Sequence, residues 1–525
     1  MNLLNNRQLL ALVGGAAFFT CSCSVEEKNS TKLPNIIILY TDDMGYGDVS
    51  YQNPSSKIPT TNIDELAKSG IFFTDGHSSC TVSSPSRYSI LTGNYHWRAV
   101  KRVAGNFTRP LFDKNELTIA DVLKDRGYYT AAVGKWHLGW DWDSVLKPDA
   151  KLIKAENGWG DYYDIDMIDW DKPLKGGPIE YGFDYYYGND CPFHPPYAMI
   201  ENENFIEKPT SIFNNDEFRF AKEGETEMRN GPKVSNWNPY DLLPNLTKKV
   251  VELIKNKDKN KPLFVYYGLP SPHSPIIPND EFDGKSSAGA YGDFVVETDY
   301  QVGQIIKALK DVGEYENTII VFSSDNGPEV YAVERMKKYA HNSTNLRGIK
   351  RDIYEGGHRV PFIISWPAVI KSGQISDEVV SQVDLMATFA SLTGYQLPDN
   401  KAVDSYDLTP LLINKKYNKP LREATVFSCV GKSYAIRQGD WLYINSFSGA
   451  LNGNMKNYPG YHEFFDYVQY DKDKTPGLLF NLKEDLMQRE NLYFENKDIA
   501  LGLDSLLNNY INSGRSIAHR NFKSK

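Results

Sequence analysis

Four short apolar runs, each followed at once by a cluster of polar residues, limit the folds open to this chain. The runs are rich in β-branched residues and too short for helices, so they predict buried strands. They cover residues 35–40, 129–133, 263–267 and 318–322, and residues 362–365 are a further candidate. Because helix-like patterns separate the runs, the sequence predicts an α/β fold with a mostly parallel central sheet flanked by helices.

The remaining elements are predicted from periodicity. Helical patterns cover residues 62–69, 117–126, 246–255, 293–309 and 384–392. Beyond residue 400 a hairpin over 433–444, with its turn near Gly439, precedes a helix over 499–509. We therefore expect a main domain at 33–400 and a smaller C-terminal α+β subdomain at 401–525. Residues 158–235 are rich in Tyr, Trp, Asp, Gly and Pro without clear periodicity, which predicts a long insertion of loops.

Residues 1–23 are predicted to be an export signal. Arg7 precedes an apolar run, residues 9–19, that is too short to span a bilayer. The run ends in a segment similar to a bacterial lipoprotein signal, in which Cys23, or else Cys21, becomes the lipidated first residue; plain secretion is the alternative. The following acidic pair resembles a surface-export tag of Bacteroidetes lipoproteins. We expect an exported protein of a Gram-negative, Bacteroides-like bacterium, in the periplasm or on the outer membrane, that contacts membrane only through a lipid anchor.

Composition excludes several classes of function. Lys and Arg total 58 against 67 Asp and Glu, a net charge of −9 without a basic stripe, so no nucleic-acid partner is expected. The body of the chain contains Cys80, Cys191 and Cys429. Their number and spacing fit neither a disulfide framework nor a zinc site, so we expect buried or unpaired thiols.

The polar clusters predict a metal site. In open α/β sheets, ligands bind beyond the carboxyl ends of the strands, so clusters that follow neighbouring strands converge on one surface. An Asp-Asp pair alone is usually a solvated turn or a helix cap, but two adjacent carboxylates and a third from a neighbouring strand end would repel one another without a cation. Hard oxygen ligands favour Ca²⁺, with Mg²⁺ as the alternative; the candidate ligands are Asp42, Asp43, Asp325 and Asn326.

Basic residues in the same region predict an anion site. Taken singly, each is an ordinary surface cation or a satisfied histidine, but around a divalent metal they form a clamp for a phosphate or sulfate ester. They are Arg87, Lys135, His137, His273 and Lys350. Ser83 is a candidate nucleophile, because Pro85 suits the first turn of a helix and would place Ser83 at an N-terminus that favours anions. An ordinary N-cap is the alternative for Ser83.

In this order along the chain, the motifs resemble those of the formylglycine-dependent sulfatases of the alkaline phosphatase superfamily. The resemblance runs from about residue 34 into the C-terminal subdomain, which makes 33–400 the expected catalytic domain. The motif around the modified residue is Ser-Ser-Pro-Ser-Arg followed by Leu-Thr-Gly, at 83–87 and 91–93. The other matching segments are 42–48, 134–139, 325–327, 346–350 and 355–361.

The resemblance implies a role for each candidate residue. Ser83 would be oxidised to formylglycine, whose hydrate attacks sulfur, while the four oxygen ligands hold Ca²⁺. Arg87 and Lys135 would fix the formylglycine, and His137 would help to expel sulfate and regenerate the aldehyde. His273 and Lys350 would bind the sulfate and assist the leaving oxygen. Because the modified position is serine and not cysteine, the resemblance implies maturation by an anaerobic, radical-type sulfatase maturase.

The resemblance leaves the substrate open between aryl sulfates and sulfated carbohydrates. An aromatic content of 13% and the tyrosines at 185–187 favour stacking on a sugar, although packing within the loops is nearly as good an explanation. We expect an exo-acting sulfatase of sulfated host glycans, of the galactose or N-acetylgalactosamine type. Candidate hydroxyl-binding residues are Asp190, His194, Glu334 and Arg347. A phosphodiesterase or phosphonate hydrolase of the same superfamily, or a non-catalytic glycan-binding lipoprotein, are the alternatives.

Overall fold

A computed structural model describes residues 32–155, 160–215, 221–223, 228–417, 419–450 and 475–520. The predicted signal segment, with Cys21 and Cys23, lies outside the described residues. Among the residues that are described, no helix has both the length and the apolar character needed to cross a bilayer.

The strands of the described residues are numbered in chain order. They are β1 (Asn35–Thr41), β2 (Ile71–Phe73), β3 (Gly76–His77), β4 (Tyr129–Lys135), β5 (Leu152–Ile153), β6 (Tyr162–Tyr163), β7 (Tyr185–Asn189), β8 (Ile200–Glu201), β9 (Asn204–Phe205), β10 (Ser211–Phe213), β11 (Gly231–Lys233), β12 (Leu263–Gly268), β13 (Thr318–Ser324), β14 (Phe362–Ser365), β15 (Gln374–Ser376), β16 (Val380–Ser381), β17 (Thr425–Ser428), β18 (Tyr434–Gln438), β19 (Trp441–Ile444) and β20 (Leu478–Asn481).

The helices include all those predicted from periodicity, with longer bounds for several of them. They are α1 (Thr61–Lys68), α2 (Ser83–Thr92), α3 (Ile119–Asp125), α4 (Leu242–Asn256), α5 (Gly289–Asp311), α6 (Tyr331–Tyr339), α7 (Glu355–His358), α8 (Asp384–Thr393), α9 (Thr409–Leu412) and α10 (Lys497–Asn512).

A ten-stranded sheet forms the centre of the molecule, in the order β15-β2-β14-β13-β1-β12-β4-β7-β8-β9. The five strands from β13 to β7 are parallel, which confirms the predicted mostly parallel α/β class. Every residue of β1 is buried, as the uninterrupted apolar run predicts for a strand covered on both faces. Burying one such Ile side chain contributes about 1.5–3 kcal/mol.

The four predicted strands lie next to one another, as β13, β1, β12 and β4. Leu39 in β1 pairs with Tyr267 on one side and with Phe322 on the other, so the strands are in register and end at the same edge. The fifth candidate, β14, runs antiparallel to β13. Its apolar run predicts burial but contains no information about direction.

The insertion contributes to the central sheet, which corrects the prediction that it consists of loops. Residues 185–189 form β7, parallel to β4, and β8 and β9 extend the sheet from there. Aromatic side chains favour strands, and here two tyrosines of β7 hydrogen-bond to neighbouring strands of the sheet. Tyr186 is buried and donates to the carbonyl of Gly134 at 3.1 Å, and Tyr185 donates to Glu201. Tyr186 therefore packs within the protein and cannot stack on a sugar, whereas Tyr185 and Tyr187 are half-buried.

The C-terminal part contains a separate antiparallel sheet in the order β17-β18-β19-β20. The predicted hairpin is β18–β19, and Gly439 occupies its turn with a φ of 59°. Helix α10 packs against this sheet through Leu503 and Leu507. Pro34–Lys525 forms one compact unit. The boundary at 400/401 between the main domain and the C-terminal subdomain therefore stays a prediction.

Candidate active site

The polar clusters that follow β1 and β13 meet at the carboxyl edge of the sheet. The backbone N–H of Asp43 donates to Oδ1 of Asp325 at 3.1 Å, and Nδ2 of Asn326 donates to Oδ1 of Asp43 at 2.7 Å. Asp43 has a φ of 62°, an uncommon value for a residue other than glycine. These contacts join three of the four predicted oxygen ligands, and the fourth, Asp42, is the chain neighbour of Asp43; all four are at most 2% exposed.

Each of the three carboxylates is paired with a buried cation from another segment. Lys135, the last residue of β4, places Nζ 2.6 Å from Oδ2 of Asp42. Arg87 in α2 donates to Oδ2 of Asp325 at 2.8 Å. The third pair joins Lys350 to Oδ2 of Asp43 at 2.7 Å. Three of the predicted basic residues therefore form ion pairs with the predicted metal ligands.

The carboxylates experience opposing effects of burial and charge. Burial disfavours the Asp42 carboxylate, but the positive charges around it, that of Lys135 first, outweigh burial and lower its pKa from 3.8 to about 2. Burial and the negative charge of Asp42 instead raise the pKa of Asp325 above its ordinary value. A divalent cation among these oxygens would favour the charged form of both carboxylates.

The donor set fits Ca²⁺ or Mg²⁺. Carboxylate and amide oxygens from two strand ends converge, and ligand atoms of Asp42, Asp43 and His273 lie within 4.8 Å of one another. Oxygen ligands of this kind suit hard cations. The residues present are therefore compatible with a hard divalent metal held by the four predicted ligands.

Ser83 is the first residue of α2 and lies against the oxygen cluster. Its Oγ lies 3.2 Å from Oδ1 of Asp42 and 3.5 Å from Oδ1 of Asn326. The preceding residue, Val82, is extended, and all residues of α2 are buried. The first backbone N–H groups of a helix have no intrahelical partners, so they favour an anion at this point. The structure therefore places the predicted nucleophile beside the predicted metal ligands.

Two histidines complete the basic side of the site. His273 lies 3.6 Å from Oδ2 of Asp43 through Nε2, while its Nδ1 is 2.6 Å from the carbonyl of Ser274. Its ring stacks on Phe193 with a centroid distance of 5.9 Å. His137 is buried, and its Nε2 lies 3.0 Å from the carbonyl of Ala104. Burial and the charge of Lys135 hold the pKa of His137 well below 6.5, so its ring is neutral near neutral pH.

Two of the four predicted substrate residues adjoin this cluster. Asp190 follows β7, and its Oδ1 accepts from the backbone N–H of Gly139 at 3.2 Å. Burial raises the pKa of Asp190 to about 7. The His194 ring lies 6.0 Å from the ring of His137, nearly perpendicular to it.

The other two predicted substrate residues have different surroundings. Glu334 lies on an exposed face of α6. Arg347 is 1% exposed, its guanidinium lies 4.1 Å from the ring centre of Tyr354, and it donates to the carbonyl of Gln488. The prediction that Arg347 binds a sugar hydroxyl is therefore corrected, because its side chain is enclosed between two protein segments. Its charge gave no sign of burial in the sequence.

Sequence reasoning missed Glu329. Its carboxylate lies 3.4 Å from Nζ of Lys350 and 2.7 Å from the guanidinium of Arg351. Glu329 is therefore a second carboxylate partner of Lys350, besides Asp43. Its position three residues after Asn326 was the available signal, since a carboxylate at the same strand end can reach the same cations.

Comparisons with known proteins agree with this arrangement. The model of the family described as Sulfatase matches residues 34–395, and that described as N-sulphoglucosamine sulphohydrolase, C-terminal, matches residues 349–447. The N-acetylgalactosamine-6-O-sulfatase of Bacteroides thetaiotaomicron is 30% identical over 530 aligned positions, which cover 96% of this chain and 98% of that protein. Human steryl-sulfatase is 30% identical over 508 positions, covering 89% of this chain and 85% of the relative.

Solved structures agree as well. A structure from work on the metabolism of multiple glycosaminoglycans by Bacteroides thetaiotaomicron has a TM-score of 0.73 and 27% identity, and the match covers 91% of this chain and 99% of that one. The family match includes the central sheet, the oxygen cluster and Ser83. The chain therefore belongs to the sulfatase family and is a sulfuric ester hydrolase with an alkaline phosphatase-like fold.

Proposed function

We propose that this sulfatase hydrolyses sulfate esters of host glycans, at the 6-position of terminal N-acetylgalactosamine or galactose, with formylglycine derived from Ser83 and with Ca²⁺. The observation that carries the proposal is the contact of Ser83 Oγ with Asp42 and Asn326, which supports a reactive group at Ser83 beside the predicted metal ligands. The identity of 30% with an N-acetylgalactosamine-6-O-sulfatase, over nearly the whole of both chains, supports this sugar.

The metal and the modified residue supply the covalent chemistry. Ca²⁺ would be held by Asp42, Asp43, Asp325 and Asn326 and would neutralise charge on the sulfate and on the nucleophile. A formylglycine hydrate offers one hydroxyl for attack on sulfur and a second that allows sulfate to leave by elimination, without attack of water on sulfur.

The basic residues bind and orient the sulfate. Lys135 and Lys350 approach the cluster from β4 and from the loop before α7, so their ammonium groups flank the position where sulfate oxygens would lie. Arg87 holds Asp325 by a buried charge-assisted hydrogen bond and so fixes a metal ligand. These groups are held in place before substrate binds, which is the arrangement that stabilises charge in a transition state.

The two histidines serve proton transfer. The Ser274 carbonyl next to Nδ1 of His273 assigns the N–H to Nδ1, so Nε2 is the nitrogen that faces the cluster. Nε2 lies 3.6 Å from Oδ2 of Asp43, so His273 is placed to assist the leaving oxygen. His137 is neutral, and its Nε2–H is held by the carbonyl of Ala104. Its Nδ1 can therefore accept the proton that must be removed to release sulfate.

Sugar recognition is assigned to the segment after β7. The His194 ring lies 6.0 Å from that of His137, and burial of Asp190 would make it a strong hydrogen-bond partner for a hydroxyl. Exo action on the terminal sugar is a further part of the proposal. Export through the N-terminal signal, lipidation at Cys23 and maturation by an anaerobic enzyme that acts on serine are parts of the same proposal.

A panel of sulfated sugars tests this function. The protein would be produced together with a serine-type sulfatase maturase, and sulfate release would be measured from the 6-sulfates of N-acetylgalactosamine, galactose and N-acetylglucosamine. The 4-sulfate of N-acetylgalactosamine, a simple aryl sulfate and the matching aryl phosphate complete the panel. We expect turnover of the first two sugars and none by the Ser83→Ala variant. Cleavage of the aryl sulfate alone, or preference for phosphate esters with an intact Ser83, would contradict the proposal.

A further inference from the structure

Beside the oxygen cluster lies a second group of ligating side chains, His137, Cys191 and His194. Their ligating atoms all lie within 4.8 Å of one another, and all three residues are buried. The spacing of the cysteines predicts no zinc site, but the fold supplies the histidines. Lys135 of β4 pairs with Asn189 of the neighbouring parallel strand β7. His137 and Cys191 each lie two residues beyond this pair, so they leave the sheet side by side.

Both histidines have a ring nitrogen available as a ligand. Nε2 of His137 is engaged with the Ala104 carbonyl, and no partner for its Nδ1 is found among the described residues. Nδ1 of His194 is likewise buried without a hydrogen-bond partner there. Burial lowers the pKa of both rings, so each ring is neutral near neutral pH and has one unprotonated nitrogen. The Ala104 carbonyl orients His137 as outer-shell carbonyls orient metal-binding histidines.

We propose that His137, Cys191 and His194 form a binding site for Zn²⁺, distinct from the oxygen site, through which zinc inhibits the enzyme. Two imidazoles and a thiolate suit Zn²⁺ and do not suit Ca²⁺ or Mg²⁺, which take oxygen ligands. Zinc bonds of about 2.0–2.3 Å place tetrahedral ligand atoms about 3.3–3.8 Å apart. Side-chain rotations that move each ligand atom by about 1 Å reduce the observed spacing to these distances. The fourth coordination position of the zinc remains for water.

Cys191 is the decisive ligand in this site. The cations Arg229 and Lys135 act on His194 and oppose a second divalent ion. A thiolate offsets one of the two charges of zinc, and zinc binding releases the thiol proton. Without Cys191, two neutral imidazoles would face a dication in a positive environment.

Zinc in this site inhibits because it occupies the proton acceptor. The mechanism proposed above, on which this inference rests, needs Nδ1 of His137 to be free when sulfate is released. Coordination of that nitrogen prevents it from accepting a proton while the oxygen site keeps its Ca²⁺. Inhibition by zinc is therefore not relieved by additional Ca²⁺.

Cobalt spectroscopy tests the site independently of turnover. Co²⁺ would be added to the reduced, Ca²⁺-saturated enzyme, where a thiolate ligand gives a near-ultraviolet charge-transfer band that oxygen ligands do not give. We expect the band in the parent, its loss in Cys191→Ser, and its displacement by Zn²⁺. Cys429→Ser is the matched control, because Cys429 is also a buried free thiol but packs in a different hydrophobic cluster. Absence of the band in the parent, or its persistence in Cys191→Ser, would overturn the proposal.

The activity measurement separates the two proposals. The zinc concentration that halves sulfate release should rise by at least about tenfold in Cys191→Ser, and should be unchanged in Cys429→Ser. An unchanged value in Cys191→Ser would refute inhibition through this site. If no variant and no parent releases sulfate while the cobalt band behaves as expected, the metal site stands and the proposed function fails.

Discussion

Replacement of Lys135 by methionine should destabilise the metal-free enzyme strongly, and Ca²⁺ should reverse part of the loss. Lys135 and Asp42 are buried and lie 2.6 Å apart. The net lowering of the Asp42 pKa from 3.8 to about 2 corresponds to roughly 2 kcal/mol, and Lys135 is the first of the charges that cause it. Lys135→Met removes this attraction while the cost of burying Asp42 remains. We therefore expect the free energy of unfolding to fall by about 3–5 kcal/mol.

Calcium should reduce this loss of stability, which tests the assignment of Asp42 as a metal ligand. A dication bound to Asp42 supplies the missing positive charge, and removal of Lys135 also removes a cation that repels Ca²⁺. The difference between variant and parent should narrow by at least about 1.4 kcal/mol in saturating Ca²⁺, equivalent to a tenfold gain in calcium affinity. The measurement is urea denaturation followed by tryptophan fluorescence, with chelator or with Ca²⁺.

A surface pair between α3 and the residue before β7 provides the control. Lys124 and Asp184 lie 2.7 Å apart but are 47% and 27% exposed. Lys124→Met should cost no more than about 1 kcal/mol, with or without calcium. Equal destabilisation by Lys135→Met in chelator and in Ca²⁺ would refute the assignment of Asp42 as a metal ligand, and a loss as small as that of Lys124→Met would refute the magnitude.

The remaining predictions concern other parts of the account. Asp325→Asn should abolish sulfate release and reduce the rise in melting temperature on adding Ca²⁺, because it removes a charged ligand; an unchanged calcium response would exclude Asp325 from the site. Burial lowers the pKa of both His77 and His96 from 6.5 to about 4, so the unfolded chain binds more protons between these values and stability falls as pH decreases through this window. Each of these histidines should lower the free energy of unfolding by about 2 kcal/mol between pH 7 and pH 5. Denaturation at the two pH values measures this loss, and an equal free energy of unfolding at both would contradict the prediction. His194→Ala should raise KM, whereas Arg347→Met should lower stability by about 2 kcal/mol with KM unchanged.

The sequence predicted the composition of the site better than the geometry that surrounds it. Continuous apolar runs identified β1 and β13, and strands that end at one edge bring their following residues together. For that reason Asp42 and Asp325 could be placed in one cluster. Nothing in the local pattern specifies the order of strands in a sheet or the direction of β14, because both depend on how distant elements pack.

Residues outside periodic segments were less predictable. Tyr186 gave an aromatic signal that fits a strand and a sugar platform equally well, and only its neighbour in β4 decides between them. Arg347 looked available to a substrate because charge alone does not indicate burial. Cys191 appeared isolated because its neighbours His137 and His194 come together only when β4 pairs with β7.

Mass spectrometry of the peptide containing Ser83 tests the central claim most directly. The protein would be taken from cells with an anaerobic serine-type maturase and assayed for sulfate release in the same preparation. We expect a Ser83 residue lighter by two hydrogens, as conversion of the alcohol to an aldehyde requires, in proportion to activity across preparations. Full activity with an unmodified Ser83 would contradict the account and would point to a hydrolase that uses the serine hydroxyl itself.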